Sequence, residues 1–161
     1  MPLPKMIRRI LWVWAFFGAL LVGILVMSLY APPEVIEEGA TAVLTDPTGI
    51  QTTMSVEVAD EPVELQLGLM NRPVVERGMV FVFPDQEVRS FWMKNTLVPL
   101  DIAYFRGDGT WVSSARMEPC VEDPCISYLS AGPAMYALEL PAGGLGAGIG
   151  IGWKLSYIPG S

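Results

Sequence analysis

Residues 10–30 form a run of 21 positions without a charge, and only Gly18, Gly23 and Ser28 weaken its apolar character. As an α-helix it would be about 31 Å long, the thickness of a bilayer's hydrocarbon core. Lys5, Arg8 and Arg9 stand just before the run, and Glu34, Glu37 and Glu38 follow it. Positive charge stays on the cytoplasmic side, so the N-terminus is expected inside the cell and the rest of the chain outside. The chain then divides into a cytoplasmic N-terminus (1–9), a transmembrane helix (10–30), a linker (31–39) and an extracytoplasmic domain (40–161). Trp12 and Trp14 suit the membrane interface. Ala15, Ala19 and Gly23 fall four apart, a spacing by which two such helices could pack as a homodimer. The competing expectation is a signal peptide cleaved on secretion. A signal's apolar core is usually shorter, about 7–15 residues, and Val26-Met27-Ser28 is no A-x-A site.

Charge and residue usage narrow the function classes. The chain has 10 Lys+Arg against 17 Asp+Glu. Three of the ten cations and none of the 17 acids precede the apolar run, which leaves seven against 17 beyond it, a net of −10. So acidic a domain is not expected to bind nucleic acid. The chain has no histidine. That excludes Ser-His-Asp triads, Cys-His dyads, HExxH sites and the His-containing zinc centres.

Beyond the Pro- and Glu-rich linker the pattern is one of short β-type runs between turn signals. Strands are expected at 41–45, 51–58, 78–83, 88–93, 99–106, 110–117, 134–140 and 153–158. Asp46-Pro47-Thr48-Gly49 and Gly107-Asp108-Gly109 read as hairpin turns. About eight strands at this spacing suggest an antiparallel sandwich or barrel. One or two short helices are expected beside them. Asp60 is placed to cap a turn running through Pro62 and Glu64 to Leu69. A second at 145–149 is opposed by its glycines, so 143–152 reads as a connector.

Cys120 and Cys125 are the only cysteines. In an exported domain an even, closely spaced pair favours a disulfide, and two thiolates without histidine leave a zinc site incomplete. Met70, Met79, Met93, Met117 and Met135 raise the idea of copper(I), but their dispersal favours core filling. The glycine run matches neither GxGxxG nor a P-loop. No metal or cofactor is therefore expected. Chemistry is densest from Arg89 to Asp101. Period-two alternation puts Arg89, Phe91 and Met93 on one face and Ser90 and Trp92 on the other. Lys94, Asn95, Thr96 and Asp101 add donors, acceptors and both charges beside the Trp92 ring. That mixture suits a small polar ligand such as a sugar. It equally suits a polar corner, with Asn95 and Thr96 tying a turn and Asp101 paired to Lys94 or Arg89.

Several strings together resemble the domain-of-unknown-function 192 family. They are Val56-Glu57-Val58-Ala59, Gly68-Leu69-Met70-Asn71-Arg72, Gly78 to Pro84, and Phe91-Trp92-Met93-Lys94-Asn95-Thr96 with Pro99-Leu100-Asp101-Ile102. Pro119-Cys120, Pro124-Cys125 and Leu138-Glu139 continue the match in order, so it spans about 40–158. The resemblance implies an all-β, jelly-roll-like sandwich in a family often exported or membrane-anchored, and implies no reaction or cofactor. The glycine-rich connector departs from the family's more polar helical stretch.

The expected function is thus a membrane-anchored extracytoplasmic β domain. It would bind a small polar or carbohydrate ligand, or a polysaccharide or protein partner of the cell envelope, through Arg72, Arg89, Trp92, Lys94, Asn95, Thr96 and Asp101. The balance leans away from an enzyme. A hydrolase pairing Asp101 with Glu64 or Glu76 is the alternative, as is an accessory subunit of a membrane complex.

Overall fold

Two Asp-led turns set up the first and second hairpins. Thr41–Thr45 (β1) and Gln51–Ala59 (β2) are joined where Asp46 Oδ1 accepts the Thr48 and Ile50 N–H groups (2.8 and 2.9 Å) and the Thr48 hydroxyl (2.7 Å). Asp108 does the same with Thr110 between the later strands. Gly49 and Gly109 adopt φ of 91° and 78°, which disfavours any residue with a Cβ. In both turns the threonine hydroxyl holds the aspartate below the usual carboxylate range.

The computed structural model describes residues 40–159. The expected transmembrane helix at 10–30 and its linker lie outside the described residues. Among the described residues no helix is long and apolar enough to cross a membrane.

The remaining elements are α1 (Pro62–Leu67), β3 (Gly78–Trp92), β4 (Leu100–Phe105), β5 (Trp111–Met117), β6 (Ser127–Pro141), a single 3₁₀ turn at Leu145–Gly148, and β7 (Lys154–Ile158). Seven strands make one sheet in the order β5-β4-β6-β3-β2-β1-β7. Its edges meet at one end. Trp111 N–H donates to Trp153 O (3.1 Å) and Leu155 N–H to Gly109 O (2.8 Å). The sheet is therefore a half-barrel laced at one rim. A Cβ on Gly109 would lie 2.1 Å from Leu155 O, so the lacing needs glycine there.

This corrects the expected architecture in three respects. The protein is mostly β, and of the expected sandwich or barrel it is nearer the barrel: one curled sheet, not a jelly-roll-like sandwich of two. The sheet is not wholly antiparallel, because β2 and β3 pair in parallel. A parallel pair needs a long crossover, and the segment containing α1 supplies it. Strand alternation by itself cannot reveal that direction. Finally, the runs expected at 78–83 and 88–93 are one strand. Pro84 and Asp85 fall in a register shift between Val82 and Glu87, where the ladder is interrupted and a proline costs no pairing.

α1 begins at Pro62, and Glu64 Oε2 accepts the backbone N–H of Asp60 and of Glu61, both at 3.2 Å. The capping position is Glu61, one residue after the one expected. The connector makes only a 3₁₀ turn because its glycines resist a longer helix.

Two cores result, one on each face of the central strands. Ala42, Leu44, Val58, Phe105, Leu138 and Leu155 fill the inside of the curl. Leu69, Phe81, Met93, Ile102, Tyr104 and Met117 pack on its outer face, with Leu65 of α1 against them. β4 is buried at all six positions, since both of its faces are covered. Met79, Met93 and Met117 all belong to the outer core, where a flexible thioether fills irregular gaps.

Candidate functional site

The outer face of the sheet holds two acids in one transverse row. Glu57 on β2 is in register with Met79 on β3, Met79 with Glu139 on β6, and Glu139 with Ile102 on β4. Cross-strand neighbours point to the same face, so both carboxyls project into the outer core with Met79 between them. Both residues are buried.

Their environments differ. Arg72 Nη1 donates to Glu57 Oε1 at 2.6 Å, while Glu57 Oε2 is buried without a partner among the described residues. Glu139 is 4% exposed, and no hydrogen bond or ion pair of the described residues reaches its carboxyl. Burial pushes that carboxyl up to about 8, so at neutral pH it is a protonated acid, able both to donate and to accept. Its nearness also helps raise the Tyr104 hydroxyl, after the larger effect of burial.

A cavity of about 140 Å³ opens in front of Glu139. Leu65 and Met70 of the α1 segment form one wall, Phe81 and Phe91 of β3 another. Phe91 meets Phe81 edge-on, with ring centroids 4.8 Å apart, which fixes both rings. Trp92, half exposed, stands at the rim. Thr96 also lines the cavity; it is 4% exposed, and its hydroxyl has no partner among the described residues.

Of the residues expected to form a site, the structure brings Trp92 and Thr96 to this pocket. Asn95 shapes it from behind. At φ 55° its N–H donates to Cys120 O and its carbonyl accepts from Asn71 N–H, both at 2.8 Å, tying the loop to the segment after α1. Lys94 turns to Asp123 at 2.6 Å. Arg89 is held by Asp85 and Ala134 O, with its guanidinium 4.1 Å above the Phe83 ring. Arg72 is engaged by Glu57. Asp101 shares the inner face with Ala103 and Phe105, where it accepts Gly143 N–H at 2.9 Å beside a second cavity of about 230 Å³. Neither Lys94 nor Arg89 pairs with it. Glu64 caps α1 and Glu76 is exposed, and neither lines the cavity beside Asp101.

Glu57 and Glu139 went unnoticed as site residues in the sequence. The available signal was an acid in the middle of an apolar strand, in Val56-Glu57-Val58 and Leu138-Glu139-Leu140. Alternation sends such an acid to the face opposite its neighbours, ordinarily solvent. Here that face is covered by α1 and its following segment.

Cys120 and Cys125 form a disulfide with Cα atoms 5.8 Å apart. Cys120 bridges to both Lys94 and Thr96, so the crosslink braces the loop that presents Thr96. Replacing both cysteines by serine is expected to cost about 2 kcal/mol, the chain-entropy value for so small a ring. Urea denaturation of the oxidised protein and the double variant measures it; equal midpoints would show that the bridge is not restraining the loop.

Among the described residues no group of three or more His, Cys, Asp or Glu is arranged to hold a metal ion. The model of the DUF192 family, described as uncharacterized ACR, matches residues 43–157. A crystal structure from Sinorhizobium meliloti 1021, described as a "putative transcription regulator", is similar with a TM-score of 0.66 and 30% identity, over 76% of this chain and 96% of that one. A protein of unknown function from Novosphingobium aromaticivorans DSM 12444 gives a TM-score of 0.65 and 31% identity, over 79% and 94%. No curated protein matches.

Proposed function

The chain belongs to the domain-of-unknown-function 192 family, and from the site that its fold builds we propose a binding protein that holds one small polar ligand beneath α1. The observation that supports this reading is Glu139, a buried residue whose carboxyl meets a cavity and has no hydrogen-bond partner among the described residues. An unpartnered buried polar group costs stability, and a ligand that hydrogen-bonds to it offsets that cost. Thr96 adds a second free polar group, and Trp92 at the rim adds a flat platform that a sugar ring or other small body would cover. A volume of about 140 Å³ is well below the ~300–1,000 Å³ of sites for drug-sized molecules, which limits the ligand to a single small unit.

The location that fits this reading is the outer side of the cell membrane, with residues 10–30 as anchor and the domain facing envelope material. A nucleic-acid partner would meet a chain with 17 acids against 10 cations, an unfavourable electrostatic balance. The hydrolase alternative, Asp101 with Glu64 or Glu76, draws less support, because Asp101 lies on the inner face and Glu64 is engaged in capping α1.

Thermal-shift screening of the full chain against small polar compounds and glycans tests the proposal. A ligand should raise the melting temperature, Trp92→Ala should weaken it about tenfold, and Asp101→Asn should leave its affinity unchanged. Binding that survives Trp92→Ala and disappears with Asp101→Asn would move the site to the other face.

A further inference from the structure

We infer that the pocket in front of Glu139 takes a small organic cation, an alkylammonium whose charge sits on the Glu139 carboxylate and whose apolar body lies against Phe81, Phe91 and Trp92. The inference rests on the small-ligand reading of this pocket and adds the chemical class. Leu65, Met70, Phe81, Phe91 and Trp92 give the pocket aliphatic and aromatic walls, and no Lys or Arg of the described residues lines them. A sugar carries a hydroxyl on nearly every carbon, and each one buried without a partner costs roughly 1–3 kcal/mol. Gln66 and Ser90 line the pocket from exposed positions, and among the described residues the buried polar side chains that line it are Glu139 and Thr96, too few for that demand. An alkylammonium makes the opposite request: one charge to be matched and an aliphatic body to be covered. One carboxyl and a set of aromatic rings meet it, since ring faces attract cations and bury methylenes. The same wall already holds one cation in this way, with the Arg89 guanidinium 4.1 Å from the Phe83 centroid.

Among the described residues no other charged side chain lines the pocket. From β2, Glu57 faces the same side but is paired with Arg72, which follows α1. From β4 comes the Tyr104 hydroxyl, which donates to Tyr128 O. From the α1 segment, Glu64 is spent on the backbone N–H groups of Asp60 and Glu61. Glu139 is left as the counter-ion. Burial pushes its carboxyl up to about 8, so it holds a proton below that pH. A cation binding below that pH must therefore expel the Glu139 proton to solvent, one per ligand. A neutral ligand expels none.

Calorimetric titration of the full chain with n-butylammonium and tetramethylammonium chlorides, and separately with glucose, reads this directly when repeated in two buffers of different ionisation enthalpy. At pH 6.5 an ammonium should bind with release of about one proton, and its affinity should rise about tenfold per pH unit until near pH 8. Glu139→Gln should weaken it about hundredfold or more and abolish the proton release. Trp92→Ala, at the exposed rim, should weaken it up to about tenfold with proton release retained, which covers the case of a poorly folded Glu139 variant. Glucose binding without proton release, with no ammonium binding, would overturn the cation inference and leave the small-ligand pocket standing. Ammonium binding unaffected by Glu139→Gln would also overturn it. No binding by any of the three, with the Glu139→Gln variant folded and equally inert across the wider ligand screen, would overturn the pocket reading as well.

Discussion

Glu139→Gln should make the protein more stable at pH 8 and should flatten the pH dependence of its unfolding free energy. The native carboxyl is raised from an ordinary 4.5 to about 8 by burial. Between those two values the folded chain keeps a proton that the unfolded chain releases, so unfolding is progressively favoured as pH rises. The contribution is fully present below about pH 4.5 and is lost by about pH 8. One bound proton corresponds to ~1.4 kcal/mol per pH unit, so the window sums to about 4–5 kcal/mol, a large share of a domain's stability. Glutamine keeps the shape and cannot ionise. Urea denaturation of both proteins across pH 4 to 9 gives the comparison. The wild-type curve should fall steadily and the variant's stay level through this window, with a gap in melting temperature on the order of 10 °C at pH 8. Asp46 and Asp108 do not confuse the reading. Their carboxyls are lowered by the Thr48 and Thr110 hydroxyls, so their stabilisation is lost as pH falls below the ordinary value of 3.8, outside the window. Parallel curves for the two proteins would mean that Glu139 reaches water or a counter-charge in the folded state.

The strands and turns were legible because their signals are local. Asp46 with Thr48 and Gly49, and Asp108 with Gly109 and Thr110, close their hairpins through contacts within four residues. The parallel β2–β3 pairing was not legible, since it depends on where α1 lands. The site fared similarly. Trp92 and Thr96 stood out because they lie in a dense polar and aromatic string, and both do line the pocket. Asp101 belonged to the same string but faces the inner side, where Gly146 leaves it room: a Cβ there would come 2.6 Å from Asp101 Cβ. Lys94 was drawn off by Asp123, 29 residues away, because the loop carrying the Cys120–Cys125 disulfide folds back on it. Glu139 was hidden for the converse reason. An acid flanked by Leu138 and Leu140 looks like the wet side of an amphipathic strand until a second layer covers that side.

Arg72 was expected to touch ligand, and its structural partner gives a different, sharper expectation. Arg72→Ala should destabilise the protein by about 3 kcal/mol, because it leaves the Glu57 carboxylate buried with neither oxygen compensated. Among the described residues Glu57 Oε2 has no partner, so Arg72 is the sole compensation there. The effect should fall toward the low end for a buried pair, since the Arg72 side chain is 32% exposed and water can partly replace it. Removing both charges together, with Glu57→Met and Arg72→Met, should recover most of the loss, because a pair of apolar side chains has no desolvation cost to offset. Denaturant unfolding of the two single variants and the double variant closes the cycle, with a coupling of about 2 kcal/mol expected. The double variant also separates structure from binding. Arg72 and Glu57 do not line the pocket, so ligand affinity at Glu139 should stay within about threefold of wild type while stability is rearranged next door. If Arg72→Ala left stability within ~0.5 kcal/mol of wild type and abolished ligand binding, Arg72 would be a ligand contact and Glu57 only its tether.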